Sequence, residues 1–153
     1  MTHRVQGGDV APDFELPSNL GRTVTLHEFK DARNVVLYFY PKDETPGCIR
    51  EACAFRDSYE IFKQLGAEVI GVSSDGVESH KSFAQHHALP FILLADAEGG
   101  LRKTYGVPSS FGLLPGRVTY IIDKKGIVRR VFSSQLHPDR HVDEAVDVLK
   151  SLR

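Results

Sequence analysis

Several residue types are scarce in this chain of 153 residues, which has no tryptophan, one methionine and two cysteines. It also lacks an excess of either charge, because 19 Lys and Arg stand against 20 Asp and Glu. That balance points to neither nucleic acid nor anionic lipid as a partner. No apolar run approaches the roughly 18 to 20 residues of a membrane span, and residues 1–8 lack the apolar core of a signal peptide. We therefore expect a cytoplasmic protein.

The two cysteines, Cys48 and Cys53, are too few for the disulfide framework of a small secreted protein. They leave redox, nucleophilic or metal chemistry open. The hydrophobic fraction of 41% and the charged fraction of 25% are ordinary for a globular chain. Together with the length, they predict a single domain over residues 1–153 with room for a sizeable core.

The alternation of apolar runs and amphipathic stretches predicts an α/β fold. Strands are predicted at 34–40, 68–73, 91–95, 118–122 and 127–133, and helices at 48–65, 77–88, 99–105 and 138–152. The early alternation of strand and helix implies a right-handed crossover between parallel strands. The last two strands, joined by a turn at 123–126, are predicted to form an antiparallel hairpin. Residues 107–116, with two prolines and two glycines, are predicted to form an irregular loop of the kind that often serves functional sites.

Cys48 is predicted to lie where a buried strand gives way to a helix. Pro41 ends the strand, because it has no backbone N–H to donate. After Cys48, apolar residues recur at spacings of three and four until Gly66 ends the helix. This apolar stripe consists of Ala52, Phe55, Tyr59, Phe62 and Leu65. In the first turn of a helix, free N–H groups and the positive end of the dipole favour a thiolate, which is the nucleophilic form of cysteine.

Residues 45–53, with the sequence TPGCIREAC and with Pro41 just upstream, resemble the active-site segment of the peroxiredoxins. The later segments FRD at 55–57 and PGRVTY at 115–120 narrow the resemblance to the peroxiredoxin Q, or bacterioferritin comigratory protein, subfamily. Ile49 differs from the pattern, since a threonine is common there. The resemblance covers most of the chain. It implies a thioredoxin-like fold, with a central mixed sheet flanked by helices and a peroxiredoxin-type insertion.

The same resemblance implies a thiol-dependent peroxidase that reduces hydrogen peroxide and organic hydroperoxides without a cofactor. Cys48 is implied to be the peroxidatic cysteine, whose attack on the peroxide leaves a sulfenic acid. The Thr45 hydroxyl and Arg117 are implied to contact the peroxide, and Arg117 also to favour the thiolate form of Cys48. Pro41 is implied to cover the pocket and to limit the access of water.

The sulfenic acid needs a second thiol to condense with, and Cys53 is the only other one in the chain. On an intact helix, Cα atoms five residues apart are roughly 8 to 9 Å from each other. A disulfide needs a separation below about 7 Å, so the helix must unwind locally. We expect the resulting Cys48–Cys53 disulfide to be accessible to thioredoxin or a glutaredoxin-like dithiol. Because the bond is intramolecular, we expect a monomer.

Each of these residues also has a purely structural interpretation. Cys53 could be a small buried core residue, and Arg117 an exposed arginine at the start of a strand. Thr45 could serve only as the N-cap of the helix. Glu51 and Arg56 suggest a solvated ion pair of little energetic weight.

Four further hypotheses concern metal binding and other redox functions. The adjacent His86 and His87 hint at a metal site, but neighbouring helical side chains diverge and no acidic or thiol partner stands at ligand spacing, so we expect surface residues and no metal. A redox sensor or relay that uses the same cysteine pair stays open. A thioredoxin-type reductase and a structural zinc site through Cys48 and Cys53 are disfavoured, the first by the cysteine spacing and the second by the lack of a second ligand pair.

Overall fold

The computed structural model describes residues 4–110, 114–134 and 137–152. Their helices and strands follow in the order β1 Glu15–Pro17, β2 Thr23–Thr25, β3 Asn34–Phe39, α1 Pro46–Asp57, α2 Tyr59–Gln64, β4 Ala67–Ser73, α3 Val77–His86, β5 Ile92–Ala95, α4 Gly100–Tyr105, β6 Ser109–Ser110, β7 Leu114–Pro115, β8 Val118–Ile122, β9 Val128–Ser133 and α5 Arg140–Ser151. A single turn of 3-10 helix, His27–Phe29, precedes β3. Within these described ranges, every helix is too short or too polar to cross a membrane.

The central sheet has five strands in the order β5-β4-β3-β8-β9. β3 runs parallel to β4, and β4 runs parallel to β5. β8 runs antiparallel to both of its neighbours, β3 and β9. The predicted α/β fold, its parallel crossover and its terminal hairpin are therefore confirmed.

The middle strand, β3, is buried along its whole length. Val35, Leu37 and Phe39 face one apolar cluster, while Val36 and Tyr38 face the other. Residues of α1, α2, α3 and α5 cover the second face, and residues of α4 and β2 join the first. A strand covered on both sides favours apolar residues at successive positions, which is why residues 35–39 are a continuous apolar run.

The single helix predicted at 48–65 is wrong in two respects. The helix begins earlier, at Pro46, and it is interrupted at Ser58, which separates α1 from α2. Aspartate and serine are poor helix formers, because their side chains can compete for backbone hydrogen bonds, and Asp57 and Ser58 stand together at the break. The predicted apolar stripe survives the break, because Phe55 in α1 and Phe62 in α2 are both fully buried.

Other differences are confined to element ends and to short strands. The helix predicted at 77–88 ends at His86, since Ala88 has a φ of 52° that no helix accommodates. The irregular loop predicted at 107–116 contains the short antiparallel pair β6 and β7, and its residues 111–113 lie outside the described part of the chain. β1 and β2 form a second small antiparallel pair that the sequence pattern did not predict.

Candidate active site

Cys48 lies in the first turn of α1, where the loop after β3 enters the helix. Pro46 stands at the start of α1, where its fixed φ suits the helix and its missing N–H leaves no bond unmade. Cys48 is buried, with 1% of its surface exposed. The start of a helix favours a negative charge on Sγ, so this placement suits a thiolate nucleophile.

Arg117 reaches Cys48 because of the way the sheet is paired. β8 runs antiparallel to β3, so its first residue, Val118, lies beside Phe39, the last residue of β3. Arg117 therefore emerges at the end of the sheet from which the chain runs to Cys48. Its Nη2 donates a hydrogen bond to Cys48 Sγ at 3.4 Å, and the residue is only 5% exposed. The alternative reading of Arg117 as an exposed arginine is wrong.

Glu51, one helical turn after Cys48, holds the other arm of the guanidinium. Arg117 Nη1 donates to Glu51 Oε1 at 2.5 Å, and Glu51 is fully buried. Burial raises the pKa of Glu51 to about 8, and Arg117 limits that rise. Burial alone would lower the pKa of Arg117, but Glu51 and Cys48 outweigh it and raise that pKa. In either protonation state Glu51 Oε1 accepts from Arg117, which fixes the guanidinium beside the sulfur.

The predicted solvated ion pair between Glu51 and Arg56 is also wrong. Glu51 turns inward to Arg117, while Arg56 pairs with Asp57 and donates from Nη1 to the His87 carbonyl at 2.8 Å. The spacing along the helix suggested Arg56 as the partner of Glu51, but the pairing of β3 with β8 brings Arg117 to Glu51 instead. Glu51 is thus a site residue that sequence reasoning missed, although its position three residues after Cys48, on the same helix face, could have signalled it.

His141 closes the site from α5. Its Nδ1 lies 3.6 Å from Glu51 Oε2 and 2.7 Å from the Thr119 hydroxyl oxygen, and its Nε2 lies 3.0 Å from the Ser134 carbonyl oxygen. A carbonyl oxygen only accepts, so Nε2 carries the proton and Nδ1 accepts from Thr119. Burial lowers the pKa of His141 to about 4; the Ser134 carbonyl opposes this shift and Arg117 adds to it. The imidazole is therefore neutral near pH 7. Nothing in the local sequence marks His141 or Thr119 as site residues.

The buried His141 should make folding stability depend on pH. An unfolded histidine takes up a proton near pH 6.5, whereas folded His141 does so only near 4. As the pH falls between these values, the unfolded state binds a proton that the folded state does not, so stability is lost on acidification. His141→Gln cannot titrate and keeps an amide donor. We expect the wild type to lose about 2 kcal/mol more than this variant between pH 7 and pH 5 in urea unfolding. Equal losses in the two proteins would contradict a buried neutral His141.

The structure also places the other three predicted site residues, Thr45, Pro41 and Cys53. Thr45 is the N-cap residue of α1, but its hydroxyl makes no capping bond and donates to the Lys42 carbonyl oxygen at 2.8 Å. The idea that the Thr45 side chain caps the helix is therefore wrong. Pro41 is half-buried and follows β3 after one intervening residue. Cys53 lies further along α1, half-buried, and both cysteines are free thiols.

Two glycines, Gly47 and Gly116, allow close packing that a side chain at either position would disturb. A Cβ atom on Gly47 would lie 3.1 Å from Arg117 Nη2, closer than most side chains tolerate. A Cβ atom on Gly116 would lie 2.2 Å from the backbone oxygen of Pro108, a distance that cannot exist without moving the chain. Glycine at 116 thus allows the close backbone approach that delivers Arg117 to the site.

A surface cavity of about 140 Å³ lies away from this site. Its lining includes Val35 at the start of β3 and Ile122 at the end of β8. Cys48 follows the opposite end of β3, so we assign this cavity no part in the chemistry of the cysteine.

Comparison with known proteins agrees with this geometry. The AhpC/TSA family model matches residues 7–131. The chloroplastic peroxiredoxin Q of Sedum lineare is 53% identical over 151 residues, which are 98% of this chain and 81% of that protein. The chain belongs to the AhpC/TSA family. Its relatives in the family include peroxidoxin BcpB from Mycobacterium tuberculosis, which has 37% sequence identity with this chain. Its crystal structure superposes with a TM-score of 0.90, and the match covers 98% of this chain and 99% of the relative.

A second solved structure is that of the bacterioferritin comigratory protein of Xanthomonas campestris, 29% identical with a TM-score of 0.83, with 91% of each chain covered. These relatives confirm the thioredoxin-like fold and the peroxiredoxin Q resemblance that the motifs implied. The AhpC/TSA protein described here is therefore a thiol peroxidase.

Proposed function

We propose that Cys48 is the peroxidatic cysteine of a thioredoxin-dependent peroxidase. The observation that carries the proposal is the 3.4 Å contact between Arg117 Nη2 and the buried Cys48 Sγ. The thiolate attacks the terminal oxygen of a hydroperoxide, so an S–O bond forms and the O–O bond breaks. The leaving oxygen takes a proton and departs as an alcohol or as water. Cys48 is left as a sulfenic acid, oxidised by two electrons.

Arg117 acts twice in this step. Before the attack its charge favours the thiolate, and during the attack its donors face the oxygen on which negative charge develops. The Glu51 contact at 2.5 Å holds the guanidinium in place for both tasks. We assign the Thr45 hydroxyl to the peroxide as well, since Thr45 stands three residues before Cys48 at the entrance to α1. Pro41 restricts water on the loop side.

The burial of Cys48 bears on the second half of the cycle. A slim hydroperoxide can reach a sulfur that is 1% exposed, but the active site of another protein cannot. Recycling by thioredoxin therefore requires the first turn of α1 to open. The same opening is needed to bring Cys48 and Cys53 within disulfide distance, because a helix holds them about 8 to 9 Å apart. We propose that Cys53 resolves the sulfenic acid during this local unwinding and that a thioredoxin or glutaredoxin-like dithiol then reduces the disulfide.

The substrate range, the compartment and the assembly state are parts of the same proposal. The Xanthomonas campestris relative has alkyl peroxide reduction activity, and we propose organic hydroperoxides as substrates of this chain beside hydrogen peroxide. Two free thiols suit the reducing cytoplasm, where we place the protein. An intramolecular disulfide needs no second subunit, so we propose a monomer in which residues 1–153 act as one domain.

Steady-state peroxide consumption tests the proposed cycle. Catalytic amounts of protein, with thioredoxin, thioredoxin reductase and NADPH, should consume many equivalents of hydrogen peroxide. Mass spectrometry after one equivalent should find a Cys48–Cys53 disulfide. Consumption that stops after one equivalent, in the presence of an active thioredoxin system, would instead indicate a redox sensor.

Cys53→Ser separates the two halves of the cycle. The first reduction of peroxide should proceed at a near-normal rate, because Cys48 and Arg117 are unchanged. Thioredoxin-linked turnover should fall at least about tenfold, and Cys48 should be overoxidised more readily, because the sulfenic acid has no thiol to condense with. Rapid quenching with mass spectrometry measures the first reaction, and NADPH oxidation measures the second. Full thioredoxin-linked turnover in the variant would make Cys53 a packing residue.

A further inference from the structure

His86 and His87, at the end of α3, meet Glu44 in the loop before Cys48. Glu44 Oε2 lies 2.9 Å from His86 Nδ1, and Glu44 Oε1 lies 2.6 Å from His87 Nε2. The two imidazole rings are only 4.3 Å apart between centroids. The expectation that these histidines diverge and lack an acidic partner is therefore wrong. They converge because the chain leaves the helix at His87, and the acid comes from 42 positions upstream.

Glu44 is held in a backbone conformation that aims its carboxylate at α3. Its φ is 61°, in the left-handed region that residues with a side chain rarely adopt. The preceding Asp43 is fixed by a hydrogen bond from Tyr40, at 2.6 Å, and a contact of 2.7 Å with His80. Such strain persists only where the surroundings enforce it, and it concentrates at functional positions.

We propose that Glu44, His86 and His87 form a binding site for a divalent transition-metal ion such as Zn²⁺. Ligand atoms from the three side chains lie within 4.8 Å of one another. Two imidazoles and one carboxylate, completed by water, are a ligand set that zinc accepts in tetrahedral geometry. Zinc bonds of about 2.0 Å place tetrahedral ligand atoms about 3.3 Å apart. The contacts of 2.6 and 2.9 Å therefore need to open by only a few tenths of an ångström.

The charges and the exposure of the three side chains suit an ion. Glu44 supplies an anionic oxygen, and an ion bound between it and the two imidazole nitrogens replaces the hydrogen bonds that join these groups now. The His86 side chain is 67% exposed and that of Glu44 41%, so an ion and its water have access. The group of Asp43, Asp75 and His80 is a poorer candidate, because Asp43 already accepts hydrogen bonds from Tyr40 and Ser79, and His80 Nε2 already donates to the Leu94 carbonyl oxygen.

The position of the site links it to the reactive segment. Glu44 stands before Cys48, and the His87 carbonyl accepts a hydrogen bond from Arg56, which stands after Cys53. The end of α3 thus holds both flanks of the Cys48–Cys53 segment. If that segment must unwind for disulfide formation, which rests on the proposed function, a bound ion would oppose the unwinding. The binding itself does not depend on that function.

Calorimetric titration with Zn²⁺ tests the site in a chain that carries Cys48→Ser and Cys53→Ser, so that neither thiolate competes for the metal. We expect one ion per chain with a micromolar dissociation constant. Glu44→Gln, His86→Gln and His87→Gln, each added to this chain, should weaken binding by roughly tenfold or more. His27→Gln removes an exposed imidazole elsewhere and should leave the affinity unchanged.

Two results would overturn the proposal. One is the absence of micromolar Zn²⁺ binding, and the other is equal affinity in the parent and in the three ligand variants, which would place the ion on other residues. Hydrogen exchange supplies an independent readout. Zn²⁺ should slow amide exchange around residues 44–48 in the parent and not in the His87→Gln variant. Because the variant that carries Cys48→Ser and Cys53→Ser has no cysteine, failure of the peroxidase assignment cannot alter either outcome.

Discussion

Replacing Cys48 with serine is expected to abolish peroxide turnover. The serine hydroxyl stays protonated near neutral pH even at the start of α1 and beside Arg117, so it offers no anionic nucleophile. Its oxygen also cannot pass through a sulfenic acid, which removes the redox step itself. Removing the nucleophile of an enzyme that depends on one lowers the rate by several orders of magnitude. NADPH oxidation through thioredoxin reductase and thioredoxin should fall to the rate measured without the protein.

Cys53→Ser is the matched control, since it makes the same chemical change five positions further along the same helix. This variant should still consume one equivalent of peroxide when mixed with it in stoichiometric amounts. The Cys48→Ser protein should consume none, and its circular dichroism and urea unfolding should show that it remains folded. Measurable turnover by a folded Cys48→Ser protein would refute the assignment of Cys48 as the nucleophile.

The sequence reveals those parts of the fold in which one element carries its own signal. β3 is recognisable because burial on both faces favours an unbroken apolar run, here residues 35–39. The stripe of α1 and α2 is recognisable because its buried residues repeat with the helical period. The break at Ser58 was missed, since the stripe continues across it. β6 and β7 have two residues each and are too short for any period to be read.

In the active site, too, some residues can be predicted from local sequence and others cannot. Cys48 and its place at the start of a helix follow from local pattern, and Arg117 was assigned through resemblance to a family motif. The partner of Glu51 could not be read locally. Arg56 looked closer in sequence, but the antiparallel pairing of β3 with β8 brings Arg117 from 66 positions away.

His141 and Glu44 illustrate the same limit. His141 reaches Glu51 from the last helix, and Glu44 reaches His86 and His87 through a left-handed backbone turn. A turn with positive φ at a glutamate leaves no signature in composition or periodicity. Contacts of this kind depend on tertiary structure, so a single sequence identifies the residue types without identifying the pairs.

Arg117→Met carries the second large expected effect. Methionine keeps much of the side-chain length but removes the charge and the donors that lie 3.4 Å from Cys48 Sγ. We expect the rate constant for oxidation of Cys48 to fall about 10²- to 10³-fold, the usual effect of losing a donor that stabilises charge in a transition state. The fall should persist at a pH where Cys48 is fully ionised. The chain has no tryptophan, so the rate is best followed by rapid quenching, alkylation of the remaining thiol and mass spectrometry.

The pH dependence separates the two roles of Arg117. A lower plateau at high pH means that Arg117 stabilises the transition state, whereas a shifted profile with an unchanged plateau would restrict it to ionisation of the thiol. Removing one partner of a buried ion pair costs about 3 to 5 kcal/mol when the other charge stays buried and unpaired, and we expect Arg117→Met to lose less stability than this. Arg117 limits the rise in the pKa of Glu51, so without it Glu51 becomes protonated and no bare charge stays buried. Arg117→Lys restores a charge without the two-armed contact to Glu51 and Cys48, and its plateau should lie between those of the wild type and Arg117→Met.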